Sequence, residues 1–434
     1  MPGAGYLEID AYGTVRLSQT IGRSLRGDII VGVYTTDATF DETGTQIGSE
    51  TVGESRNINE KMTGAYTTTA AFNEYGTMTK QETIGESYSY VDLNGDGTVD
   101  EVDERVVSGV YTTLSDSAEN DIGAGYLEID ACGTVRLSQT RGRSLRGDIV
   151  VGVYTTEATF DEAGTQLGSE TVGQSWNIRS KTTGAYTTTA EFNDYGTMTK
   201  QQTIGESYSY VDLDGDGNID EVGERVVSGI YTTLSDSAEN DIGAGYLEVD
   251  AYGTVRLSQT RGRSLRGDIV VGVYTTEATF DEAGTQLGSE TVGESRNIRE
   301  KTTGAYTTTA AFNEYGTMTK QQTIGESYSY VDLNGDGTVD EVGERVVSGV
   351  YTTQSDSARN DMGAGYLEID AYGTVRLSQT TGRSLRGDIV VGVYTTGATF
   401  DEAGTQLASE TVGQSWNVKG HVTGAYTTTA EFND

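Results

Sequence analysis

The chain has 434 residues, with 29 Lys and Arg against 66 Asp and Glu, a formal net charge of −37, one Cys and one His. That balance argues against nucleic acid as a partner and against docking on an anionic membrane, because the leading electrostatic term would be repulsive in both cases. A lone Cys132 and a lone His421 leave no disulfide framework, no cysteine zinc cluster and little acid–base chemistry, so no catalytic residues and no enzyme activity are expected.

Read from its start, the chain is a tandem repeat. The segment GAGYLEIDAYGTVRLSQT begins at Gly3, and near-copies begin at Gly123, Gly243 and Gly363, a period of 120 residues. The expected units are β-repeats over 1–122, 123–242 and 243–362, with a partial fourth over 363–434. The opening MPGAGYLEID has neither a basic nor an apolar leader segment, so no export signal is expected within it. The interruption of the fourth copy at Asp434 predicts a longer parent array. A slower alternation is superposed: Arg56 and Arg296 stand in the first and third copies where Trp176 and Trp416 stand in the second and fourth.

Within each copy the first reversal signal runs from Asp10 to Gly13, with the isolated bulk of Thr14-Val15-Arg16-Leu17-Ser18 alternating behind it. Next comes Arg26-Gly27-Asp28, which also appears at 146–148, 266–268 and 386–388. An exposed RGD can engage integrins, but a glycine-containing hairpin turn multiplied by tandem copying is the simpler reading. Two longer hairpins follow, with reversal signals at Asp41–Gly44 and Asn73–Gly76. An Asx residue opening a short loop and a Gly closing it is a strand-reversal pattern. The arms carry Thr, Val, Ile and Tyr with a period of two, and no sustained 3.6-residue apolar face is present. The Tyr-Thr-Thr stretches, such as Tyr34-Thr35-Thr36, read as cross-strand sheet filler. The expected fold is all-β, with tandem antiparallel β-hairpin repeats forming an elongated array. Two alternatives stay open: a propeller of about seven blades, or one small barrel or sandwich per copy. No apolar run approaches the roughly 18 residues of a membrane span, so no membrane insertion is expected.

Each complete copy then carries an acidic segment: VDLNGDGTVDEVDERVV from Val91, VDLDGDGNIDEVGERVV from Val211 and VDLNGDGTVDEVGERVV from Val331. The pattern D-x-[DN]-x-D-G-x-x-D places oxygen donors on alternate residues of a tight turn, as hard Ca²⁺ requires. The expected donors are Asp92, Asn94, Asp96, the Thr98 carbonyl and Asp100 in the first copy. In the second they are Asp212, Asp214, Asp216, the Asn218 carbonyl and Asp220, and in the third Asp332, Asn334, Asp336, the Thr338 carbonyl and Asp340. Three or four carboxylates at this spacing would repel one another without a cation. Cys132 replaces Tyr12, Tyr252 and Tyr372, and His421 replaces Lys61, Lys181 and Lys301, so neither belongs to the repeating design.

These loops resemble the calcium loops of EF-hands, dockerins and the FG-GAP or VCBS-type repeats of integrin-like propellers. An EF-hand takes an acid at its twelfth loop position and flanking helices. Here that position is Asp103 in the first copy but Gly223 and Gly343 in the others, and the flanks are β-type. The resemblance is therefore nearer the strand–loop–strand loops of the FG-GAP and VCBS kind, over about a dozen residues per copy, with the FG-GAP signature itself absent. It implies a calcium-stabilised β segment of a bacterial surface protein. The expectation is an extracellular or cell-surface structural or adhesive role, with a glycan, a cell-surface protein or further copies of itself as partner. The alternative is a compact propeller that binds a glycan or protein ligand.

Overall fold

The computed structural model describes residues 8–94, 99, 104–120, 127–213, 219, 223–240, 247–339, 343–359 and 368–432. In the first copy six strands follow one another: β1 (Leu17–Arg26), β2 (Ile29–Phe40), β3 (Gln46–Arg56), β4 (Met62–Phe72), β5 (Met78–Tyr90) and β6 (Arg105–Asp116). The same six recur in the second and third copies, and the fourth contributes four more, giving a 22-stranded sheet. Each strand pairs antiparallel with the next in sequence. Pairing continues unbroken across copy boundaries, as where Gly109 to Leu114 of β6 pair with Gln139 to Ser144 in the second copy. The array of antiparallel hairpins expected from the sequence is thus one continuous curled meander, not separate blades or one barrel per copy.

The turns form where Asx and Gly were placed. At Asp10 the carboxylate accepts the Tyr12 and Thr14 N–H groups at 2.9 Å, and Gly13 takes φ 86°. Asp41 does the same for Thr43 and Thr45, and Asn73 for Tyr75 and Thr77. Gly27 and Asp28 form the two-residue connection between β1 and β2, with Gly27 at φ 60°, so the RGD tripeptide is a tight turn.

The sheet stabilises itself within its own plane. Its accessible surface is 24996 Å², against about 16,000 Å² for a compact monomer of this size. On one face every odd-numbered strand supplies a Gly and the following strand lays a Tyr ring on it, as with Gly22 under Tyr34, Gly53 under Tyr66 and Gly85 under Tyr111. A Cβ at any of these glycines would fall inside the ring. Two residues along the same strands, Thr hydroxyls bond across the ladder, as in Thr36–Thr51 and Thr68–Thr83 at 2.8 Å. The opposite face alternates Val, Ile and Thr with charged residues, and there Val52 and Ile84 are exposed. Cross-strand pairs of these kinds contribute about 0.2–1 kcal/mol each, and their regular repetition substitutes for a thick core.

Buried side chains are few: beside those at the roots of the acidic segments, such as Tyr90, Val91 and Glu104, they gather in small nodes between copies. Ile129, Val249 and Ile369 are almost wholly buried, whereas their counterpart Ile9 is 59% exposed. Asn120, at the end of the first copy, closes the node of the second: its Nδ2 donates to the Ile129 carbonyl, and its Oδ1 accepts the Glu128 N–H. Each node therefore needs the end of the preceding copy.

Candidate functional site: the acidic loops and the seam

The curl brings distant parts of the ribbon together. Arg26, at the end of β1, pairs through Nη2 with Asp250 Oδ2 at 2.8 Å, 224 residues away. Arg146 makes the same contact with Asp370 at 2.9 Å over the same separation. The guanidinium groups also lie over the Tyr252 and Tyr372 rings, 5.0 and 4.8 Å from their centroids. Arg179 pairs with Asp401 at 3.1 Å, and the Tyr90 and Tyr315 rings are 5.3 Å apart. All these contacts join the same two edges. The leading edge carries the β1–β2, β3–β4 and β5–β6 connections of earlier copies. The trailing edge carries the opposite connections two copies later. Twelve strands, or two copies, complete one turn of the ribbon. The edges of successive turns meet along a seam.

The acidic loops lie on the leading edge, between β5 and β6 and their counterparts. Their roots are firmly built. The Tyr90 hydroxyl donates to the Met62 carbonyl at 2.9 Å, and Tyr210 and Tyr330 repeat the bond to Thr182 and Thr302. At the far side Glu104, Glu224 and Glu344 are buried to within a few per cent. Each turns its carboxylate back onto the loop: Oε1 accepts the N–H of Asn94 at 3.0 Å, of Leu213 at 2.7 Å and of Leu333 at 2.9 Å, respectively. These glutamates were not singled out from the sequence. Their signal was available in the Glu-Arg-Val-Val that ends every acidic segment.

The third loop is described up to residue 339. Asp332 lies at its centre and accepts the Gly335 N–H through Oδ1 at 2.6 Å and the Gly337 N–H through Oδ2 at 2.9 Å. Gly335 and Gly337 sit at φ 75° and 83°, which lets the chain wrap around that carboxylate. Asn334 Nδ2 donates to Asp336 Oδ2 at 3.1 Å, and the Thr338 hydroxyl and N–H both donate to Asp336 Oδ1. The Thr338 hydroxyl bond is the main reason the Asp336 carboxyl is held below its usual range. The loop thus gathers Asp332, Asn334, Asp336 and Thr338 on one exposed turn, with oxygen as the dominant donor. Asp340 lies outside the described residues. So do Asp96, Thr98 and Asp100 in the first loop, and Asp214, Asp216, Asn218 and Asp220 in the second; Asp92, Asn94 and Asp212 are described at the loop entrances. Among the described residues no three His, Cys, Asp or Glu side chains converge closely enough to hold a metal ion. The third loop supplies two such carboxylates, and donors suited to a hard cation occupy alternate positions along it.

No helix among the described residues is long and apolar enough to cross a membrane, which leaves β-type spanning unaddressed. No protein-family model and no curated protein matches the chain. Among solved structures it is similar to a porin-like protein from Bacteroides uniformis at 10% identity, covering 65% of this chain and 96% of that one, with a TM-score of 0.15. It is also similar to TcdB2-TccC3 without its hypervariable C-terminal region, at 10% identity over 95% of this chain and 26% of that one, with a TM-score of 0.10. A third likeness, to FpvA of P. aeruginosa bound to heterologous pyoverdines, has 10% identity over 96% and 64% of the two chains and a TM-score of 0.15. At these scores none carries an argument about fold or function.

Proposed function

We propose that the chain is a calcium-stabilised repetitive β segment of a secreted or cell-surface protein, and that it extends, displays or adheres rather than catalyses. The observation that carries this reading is the acidic loop of the third copy, where Asp332, Asn334, Asp336 and Thr338 share one turn rooted by the buried Glu344. A bound Ca²⁺ supplies the positive charge that lets these oxygen donors sit together. The protein's own part is to hold the loop entrance through the Glu344 carboxylate and to wrap Gly335 and Gly337 around Asp332.

Two further features support it. The side chains presented by one copy are largely those presented by the next, a regularity suited to spanning distance and ill-suited to a single reaction centre. The net charge of −37 and the scarcity of Cys agree with an environment where calcium is plentiful. Extracellular modules of this sort bind calcium at roughly 10⁻⁴–10⁻³ M, which matches such a setting. The partner classes this surface suits are a glycan, a cell-surface protein or another copy of the chain.

The test is thermal unfolding with added calcium and with chelator. Because a ligand that binds only the folded loop adds its binding free energy to folding, the melting temperature should rise with calcium and fall with chelator. Superimposable curves would overturn the proposal. Asp332→Asn combined with Asp336→Asn, which removes both described carboxylates of the third loop, should make the calcium-induced shift smaller than that of wild type.

A further inference from the structure

We propose that the tyrosine-bearing face of the sheet binds a neutral linear polysaccharide, whose sugar rings stack along the tyrosine row. This rests on the partner-binding part of the reading above and names both the ligand class and the residues that meet it. On every second strand from Tyr34 to Tyr426 a tyrosine occupies the same cross-strand row, with one glycine between each pair. The row crosses every copy boundary without a slip of register, as where Tyr111, Gly142 and Tyr154 follow one another. Each ring rests on the glycine of the strand before it, so backbone covers one side of the ring and the other side is turned away from the sheet. From Tyr34 to Tyr394 the row is half-buried. Its hydroxyls bond to no described residue and are not sealed from solvent, whereas those of Tyr88 and Tyr90 are taken up by Glu86 and the Met62 carbonyl.

Charge and spacing select the occupant. From β2 to β6 the rows on this face are Gly with Ser, Tyr with Gly, Thr with Thr, and Ala with Ser or Gln, none of them charged. The opposite face of the same strands carries Asp37, Glu50, Glu54, Glu82 and Glu86. A chain of net charge −37 repels nucleic acid and acidic glycans, and its acidic face would draw a polycation away from this one. A neutral sugar chain meets neither obstacle. Its rings offer apolar C–H faces to the tyrosines, and the open tyrosine hydroxyls and the neighbouring Thr row supply hydrogen bonds to the sugar rim. The platforms recur every two strands, about 9.6 Å apart. A linear chain therefore engages several at once, and the contacts reinforce one another.

Affinity electrophoresis in chelator tests it, with native gels cast in turn with hydroxyethylcellulose, xylan, dextran and the acidic polymer polygalacturonate. Wild type should be retarded by at least one of the three neutral polymers and not by polygalacturonate. Replacing every tyrosine of the row by Phe keeps the rings on their glycines and removes the hydroxyls. That variant should melt like wild type and bind the retarding polymer about tenfold more weakly. If it fails to fold, a footprint on wild type decides: the polymer should suppress nitration by tetranitromethane at Tyr111, Tyr154 and Tyr231. Tyr195, which is 91% exposed outside the row, should react equally with and without polymer. A wild type that runs alike with and without all three neutral polymers overturns the proposal. So does a folded Phe variant that is retarded as strongly as wild type, or protection that falls on Tyr195 and not on the row. Because calcium is withheld, this outcome is independent of the melting test above.

Discussion

The middle of the ribbon and its edges are built on opposite principles. In the middle every strand needs only its neighbours: a Gly receives a Tyr ring, a Thr hydroxyl bonds a Thr hydroxyl, and the arrangement repeats without reference to distant sequence. At the edges the partner is 224 residues away, and the contacts are buried ion pairs whose Arg26 and Asp250 side chains keep only 18% and 8% of their exposure. The first principle gives a sheet of indefinite width. The second decides how that sheet curls, so the shape of this chain depends on very few residues.

The comparison is broken most sharply inside the ladder. Gly85→Val places a branched side chain where the Tyr111 ring lies, and should cost about 1–3 kcal/mol through overpacking, read by chemical denaturation. Gly397→Ala, where the added Cβ would meet nothing within 4 Å, is the control and should stay within about 0.5 kcal/mol of wild type. A smaller effect is expected from the seam. Arg26→Glu sets a like charge against Asp250 and removes the cation–π contact with Tyr252. It should cost about 1–2 kcal/mol and speed hydrogen exchange around Thr254–Arg256 while mid-strand amides keep their protection. Equal loss of protection throughout would show that edge and middle are one cooperative unit.

The smallest effect per residue concerns the tyrosine row. Burial is the main reason that Tyr111, Tyr154, Tyr231 and Tyr351 have raised pKa values, with neighbouring tyrosines adding to it. A folded-state pKa above the unfolded value of about 10 contributes stability that is complete below pH 10 and is lost as pH rises through the folded value. Stability should therefore decline above pH 10 together with tyrosinate absorbance.

What could be read from the amino acids follows the same division. The turns at Asp10–Gly13, Asp41–Gly44 and Asn73–Gly76 were legible because an Asx cap and a left-handed glycine act over four residues. The period of two in the arms gave strands for the same local reason. Arg26 was read only as part of a turn, since a contact across 224 residues depends on the accumulated curl of twelve strands and leaves no local mark. The acidic loops were visible through their donors. The glutamates that root them were not, because Glu344 acts by folding back on Leu333 from beyond the pattern.

The seam offset has a consequence for how the two kinds of copy are distributed around the coil. With two copies per turn, the third copy lies over the first and the fourth over the second, as Arg26–Asp250 and Arg146–Asp370 record. Arg56 and Arg296, both half-buried at the ends of their strands, therefore recur at one position around the coil and Trp176 and Trp416 at the other. Duplication in pairs preserves this two-sided arrangement at every turn. Duplication of a single copy would scramble it.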